Sequence, residues 1–242
     1  MSIYDLKQTR KVLEESKYQS PFYQLFNGTL PPNIVDMKTA ISFDYQYVYS
    51  RIPKAANSTV VASLYKKETG NDIDDYAKDV KEHYFLKLSS LSEKELKQLK
   101  QFFKFTIVRN PIARLRSAYL DKILSGEKIQ VQKFFNISSK TKINFDLFLD
   151  FLEQGGINDN SHWAPQKNLL YFPIDDYDYI GKVETLEKDM EVVLGKIYQS
   201  RGTVFSICKR RTGKIDFTVS NSQKKRIYQL YEQDFECFSY SL

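Results

Sequence analysis

Twice in this chain an apolar run breaks at a proline and resumes at helical spacing. The first break runs from Tyr49-Ser50-Arg51-Ile52 into Pro53, then through Lys54, Ala55, Ala56, Asn57, Ser58 and Thr59 to Val60, Val61 and Leu64. The second runs from Phe105-Thr106-Ile107-Val108 through Arg109, Asn110 and Pro111 to Ile112, Leu115, Ala118, Tyr119 and Ile123. Proline has no backbone donor and a fixed φ, so it stops a strand or opens a helix. A short apolar strand that turns directly into a helix is the unit from which parallel sheets are built. Each break also sets cationic and hydroxyl side chains beside the free N–H groups of a helix start, an arrangement that holds phosphate.

Two such units predict a doubly wound α/β chain, a central parallel sheet flanked by helices. At 242 residues and 42% hydrophobic content, one domain spanning 1–242 is expected, with 1–40 as a peripheral N-terminal segment. Phe43, Tyr45, Tyr47 and Tyr49 alternate and predict one strand that Pro53 ends. Tyr84 to Leu88 reads as a further short strand, and Ser92 with Glu95 has the spacing of a capping box ahead of Leu96, Leu99 and Phe103. Beyond a polar stretch from Gly126 to Asn144, helices are expected over Phe145–Gln154, Leu186–Tyr198 and Ser222–Cys237, with a strand at Tyr177–Gly181.

The net charge of +6 points to an anionic partner without choosing one. Two cysteines and two histidines give no disulfide framework and no ligand cluster for a transition metal, so no metal is expected. The first 18 residues lack the apolar core of a signal peptide, and no 18-residue apolar run follows, so a cytoplasmic or membrane-peripheral location without a spanning segment is expected. The first loop is no Walker A site, because no glycine precedes Lys54 and the lysine comes before the hydroxyl pair. A P-loop-type kinase of nucleotides or small molecules is the competing enzyme reading. A nucleic-acid-binding module ranks below it, since the aromatics follow core periodicity and form no basic-aromatic platform.

The PKAANST loop, RNPIARLRSAY, SHWAPQ, the YDYIGKVETLEKDMEVVL run and the terminal IYQLYEQDFECFSY together resemble the carbohydrate sulfotransferases related to the HNK-1, chondroitin and dermatan enzymes (sulfotransferase family 2), from about Tyr47 to Tyr240. The resemblance implies a P-loop-NTPase-like three-layer fold and sulfonate transfer from 3′-phosphoadenosine 5′-phosphosulfate (PAPS, leaving PAP) to a carbohydrate hydroxyl, without metal. It also implies that Lys54, Ala55, Ala56, Asn57, Ser58 and Thr59 form the 5′-phosphosulfate loop, and that Arg109 and Ser117 hold the 3′-phosphate. A forked guanidinium and a nearby hydroxyl suit phosphate oxygens. The basic turn with Arg210, Arg211, Thr212 and Gly213 resembles the late segment that closes over the nucleotide. Asn110 and Ala113 depart from the acidic residues usual at their positions, which touches acceptor contacts or local packing. The paired cysteines and membrane anchor of the vertebrate enzymes are not in this sequence.

Transfer needs a base for the acceptor hydroxyl, and histidine is the natural one near neutrality. His83, two residues after Lys81 and expected at a strand edge facing the first loop, is the first candidate; His162 beside Trp163 is the alternative. Lys54 is expected to stabilise charge on the departing phosphate oxygen. Helical spacing suggests that Arg114 and Arg116 pair with surface acids.

Overall fold

In a computed structural model, residues 18–73, 80–124, 129–199 and 217–242 are described. Residues 1–17 of the expected peripheral N-terminal segment and the basic turn holding Arg210 to Gly213 fall outside these residues.

Four strands form one sheet in sequence order: β1 (Thr39–Ser42), β2 (Tyr47–Ser50), β3 (Phe103–Val108) and β4 (Tyr179–Lys182). β2, β3 and β4 are parallel, with Tyr49 opposite Phe105 and Phe105 opposite Tyr179. β1 runs antiparallel to β2, so the sheet is mixed where a parallel one is expected. The reason lies in the single strand expected from Phe43 onward. The segment after Ser42 turns back on itself, with Gln46 in left-handed backbone at φ 51°, so the first part of that expected strand is the turn of a hairpin whose other arm, β1, lies before Phe43.

Parity along the strands separates two cores. Tyr47, Tyr49, Phe105 and Ile107 face one side, where helix α1 (Asn57–Thr69) supplies Val60, Val61 and Leu64. Helix α4, which follows α2 (Pro111–Ala118) and α3 (Phe145–Glu153) and spans Leu186–Tyr198, adds Met190, Val193 and Leu194 to that side. The rings of Tyr49 and Phe105 stack at 4.7 Å, a cross-strand aromatic pair of the kind that stabilises adjacent strands. Val48 and Val108 face the other side, against Leu88, Leu91, Leu96, Leu99 and Leu169. A third cluster joins α2 and α3 to the final helix α5 (Asn221–Cys237) around the fully buried Trp163, whose Nε1 donates to Gly156 O at 2.9 Å. The capping box read at Ser92 and Glu95 forms, and opens the short helix Glu93–Gln98.

The strand expected at Tyr84–Leu88 does not form. Val80–Tyr84 is a π-helical turn, and Leu86 makes only a lone bridge to Ile41. After α2 the helix also widens into a π turn over Tyr119–Ile123.

Candidate functional site

The carboxyl ends of β2, β3 and β4 open onto a cleft of about 590 Å³, where open α/β sheets hold their ligands. Lys54, Ala56, Asn57, Ser58 and Thr59 line it from the first loop, Arg109 and Ser117 from the second, and Lys38, Lys81, Asp121, His162 and Val183 complete it. The two sequence breaks therefore converge on one cavity. Ala55 is wholly buried beneath them.

The first loop is shaped by its backbone. Lys54 and Ala56 both take left-handed φ, 68° and 54°, a conformation that costs non-glycine residues roughly 1–2 kcal/mol each. That bend starts α1 with no side-chain cap, so the first-turn N–H groups are left for an anion. By contrast α2, α3 and α5 are closed by the side chains of Asn110, Asn144 and Ser220. Asn110, the departure from the acidic pattern, is thus a working cap: its Oδ1 accepts from Ile112 N at 3.0 Å and Ala113 N at 3.3 Å. Its own N–H donates to Glu184 Oε1 at 2.9 Å.

Three buried polar side chains fix the loops relative to one another. Arg114, only 2% exposed, donates to Pro53 O at 3.0 Å, Ala164 O at 2.8 Å and Ser161 O at 3.0 Å. It does not pair with a surface acid, because it lies under the loops rather than outside the helix. Arg116 Nε donates to Phe217 O at 2.6 Å. Asp234, from α5, accepts from Gln166 N at 2.7 Å and Lys167 N at 3.0 Å. Gln166 in turn exchanges two 2.9 Å hydrogen bonds with the backbone of Arg109. The SHWAPQ segment is therefore a brace between the final helix and the second loop. Burial lowers the Arg109 guanidinium from its ordinary value, while Glu184 partly opposes the shift.

Lys54 Nζ lies 3.1 Å from Asp121 Oδ2, with both side chains 11% exposed, and the Lys54 carbonyl accepts from Arg109 Nη1 at 3.2 Å. Lys81 Nζ donates to Ser58 Oγ at 2.6 Å. His83, two residues on, has a side chain 78% exposed and is not part of the cleft lining. In a strand the two would share a face; in a helical turn they point apart. The turn brings in the lysine and leaves the histidine outside.

His162 does line the cleft. Its backbone N–H donates to Asn160 Oδ1 at 3.0 Å, and its Nδ1 lies 2.8 Å from the same oxygen. An amide oxygen can only accept, so Nδ1 carries the proton and Nε2 is the atom able to receive one. Burial, followed by the cations Lys122, Lys38, Lys54 and Arg114, pushes its pKa down to about 2. Among the described residues no group of three His, Cys, Asp or Glu side chains is arranged to hold a metal, and no helix is long and apolar enough to cross a membrane.

Sequence reasoning missed Lys38, Asp121, Gln166 and the bracing role of Arg114. Asp121 carried a usable signal, since it falls four residues after Ser117 and so shares its helical face.

A profile of the Sulfotransferase family matches residues 37–241. The chain is 27% identical over 231 residues to carbohydrate sulfotransferase 14 of Danio rerio, covering 84% of this chain and 62% of that protein. With carbohydrate sulfotransferase 11 of Rattus norvegicus it shares 26% identity over 248 residues, 88% of this chain and 69% of the relative. With carbohydrate sulfotransferase 11 of Danio rerio it shares 27% over 171 residues, 60% and 49%. The chain spans about half to two thirds of the length of these curated relatives. No solved structure matches the chain significantly. The family match runs through both loops, the brace and the final helix, and the chain belongs to the Sulfotransferase family.

Proposed function

We propose that this chain transfers a sulfonate group from PAPS to a hydroxyl of a carbohydrate acceptor. The observation that carries the reading is the uncapped start of α1 sharing one cleft with Lys54, Arg109 and Ser117. The first-turn N–H groups, Lys54 and the hydroxyls of Ser58 and Thr59 suit the 5′-phosphosulfate, and Arg109 with Ser117 suits the 3′-phosphate. The names of the relatives favour a carbohydrate acceptor. We assign one catalytic domain with a P-loop-like three-layer plan, working in the cytoplasm without a metal.

The reaction is a displacement at sulfur. The acceptor oxygen bonds to sulfur as the bond from sulfur to the phosphate oxygen breaks, leaving PAP, and the hydroxyl proton passes to a base. We assign that role to His162, because it lines the cleft with Nε2 able to accept a proton, whereas His83 lies outside the lining. The cations that depress His162 are also those a polyanionic donor would offset, so donor binding makes the imidazole a stronger base. Lys54 stabilises the charge that grows on the leaving phosphate oxygen.

The test is calorimetric titration of PAP in the presence of EDTA, followed by transfer assays with labelled donor over a glycan panel. Micromolar metal-independent binding and labelled glycan are expected. Absence of PAP binding would sink the proposal, and magnesium-dependent consumption of ATP would replace it with a kinase.

A further inference from the structure

We propose that Glu68, acting through Tyr84, is a positioning residue that holds Lys81 against the 5′-phosphosulfate, which Lys81 reaches from outside the two loops. The inference rests on the sulfotransferase reading of the cleft and adds to it a cation that neither loop supplies.

Glu68 lies near the carboxyl end of α1 and collects three phenol hydroxyls. Tyr47 of β2 donates to its Oε1 at 2.6 Å, Tyr198 at the end of α4 donates to the same oxygen at 2.7 Å, and Tyr84 of the π turn donates to Oε2 at 2.9 Å. Burial is the first cause, and the Glu68 carboxylate a further one, of a raised pKa in each of the three phenols, so all of them keep their protons and remain donors. Tyr47 and Tyr198 belong to the core on that face of the sheet. Tyr84 is different: it is 40% exposed, and no residue of its turn is fully buried. Such a turn gains little from apolar packing and depends on its polar contacts.

Those contacts sit at its two ends. Beside the Tyr84 hydroxyl on Glu68, the Tyr84 ring meets Tyr65 edge-on at 4.8 Å. At the other end the Lys81 carbonyl accepts from Lys87 Nζ at 2.7 Å, and Lys81 Nζ donates to Ser58 Oγ at 2.6 Å. Ser58 and Glu68 are ten residues apart on α1, about 15 Å along its axis. The turn therefore lies alongside the helix with one side chain stretched toward each end.

Ser58 stands in the uncapped first turn of α1, and Lys81 lines the same cleft. An ammonium bonded to that hydroxyl reaches the anion the hydroxyl holds, and adds a charge-assisted contact to it. Lysine has a long flexible stem, so its hold on an anion improves when its backbone is fixed before the ligand arrives. Glu68 is not part of the cleft lining, so its contribution to donor binding runs through the turn.

The test is calorimetric titration of the full chain with PAP and, by competition against PAP, with adenosine 3′-phosphate, which lacks the 5′ group. Lys81→Gln should weaken PAP by about tenfold and leave adenosine 3′-phosphate unchanged. Tyr84→Phe keeps the ring on Tyr65 and removes only the bond to Glu68. It should weaken PAP by about threefold in the wild-type background and not at all beside Lys81→Gln, the non-additivity that separates positioning from a general loss of structure. Glu68→Gln should follow Tyr84→Phe; because it also loosens Tyr47 and Tyr198, Y84F decides alone should E68Q fail to fold. Lys81 leaves the donor site if K81Q binds PAP as the wild type does, or loses both nucleotides alike. The role of Glu68 falls if Y84F leaves PAP unchanged or weakens it equally with and without Lys81. Failure of the wild type to bind PAP overturns the sulfotransferase reading and the Lys81 assignment together, whereas PAP binding that ignores Lys81 overturns this inference alone.

Discussion

Lys54 Nζ and Asp121 Oδ2 meet at 3.1 Å inside the cleft, joining the loop after β2 to the π turn that follows α2. The lysine assigned to the leaving phosphate is thus already held by a carboxylate. A donor anion must displace that carboxylate and then tolerate its charge nearby. Asp121→Asn keeps the shape and removes the charge, so PAP is expected to bind about tenfold more tightly in calorimetry at fixed ionic strength. Unchanged or weaker binding would show that Asp121 positions Lys54 and does not compete for it.

Arg109 and Ser117 are assigned to one phosphate but differ in chemistry. A guanidinium contact is charge-assisted and bidentate, whereas a serine adds one neutral donor. Arg109→Ala should therefore weaken PAP by about 10- to 100-fold, and Ser117→Ala by only about fivefold. Repeating both titrations with adenosine 5′-phosphosulfate, which lacks the 3′-phosphate, removes the difference between wild type and variants if the assignment is right.

Arg114 ties Pro53, Ser161 and Ala164 together by three carbonyl bonds at full burial. Replacing it by methionine strands those carbonyls and leaves the buried Asp234 without the cation that partly offsets its burial. A loss of about 3–5 kcal/mol in urea unfolding is expected. Arg116→Met, which removes the 2.6 Å bond to the carbonyl of the half-buried Phe217, should cost less than Arg114→Met.

Both strand-to-helix breaks were legible because proline and a change of hydrophobic period mark them locally. Side-chain direction was not. The Lys81 and His83 pair reads as one face of a strand, and only the π turn at Val80–Tyr84 separates them, a choice set by packing beyond the local sequence. Arg114 shows the same limit: helical spacing gives its face but cannot say that the segment after Asn160 lies over that face. The hairpin before Ser50 was hidden because alternation of aromatics runs through the turn at Gln46 without a break.

His162 links the candidate mechanism to the pH dependence of stability. Its folded pKa is pushed down to about 2, below the ordinary value of 6.5, so the unfolded chain binds the proton more readily between those limits. Stability from this group is complete above about pH 6.5 and declines as pH falls toward 2, by at most about 1.4 kcal/mol per pH unit. Urea unfolding of the wild type and of His162→Gln from pH 7 to pH 4 checks this. The variant, which cannot titrate, should show the shallower decline, and saturating PAP should flatten the wild-type curve by offsetting the cations that lower the imidazole pKa. Transfer by the same variant should fall by at least about 100-fold with PAP affinity retained, as for loss of a general base; activity within a few-fold of the wild type would remove His162 from the mechanism even if the pH effect on stability held.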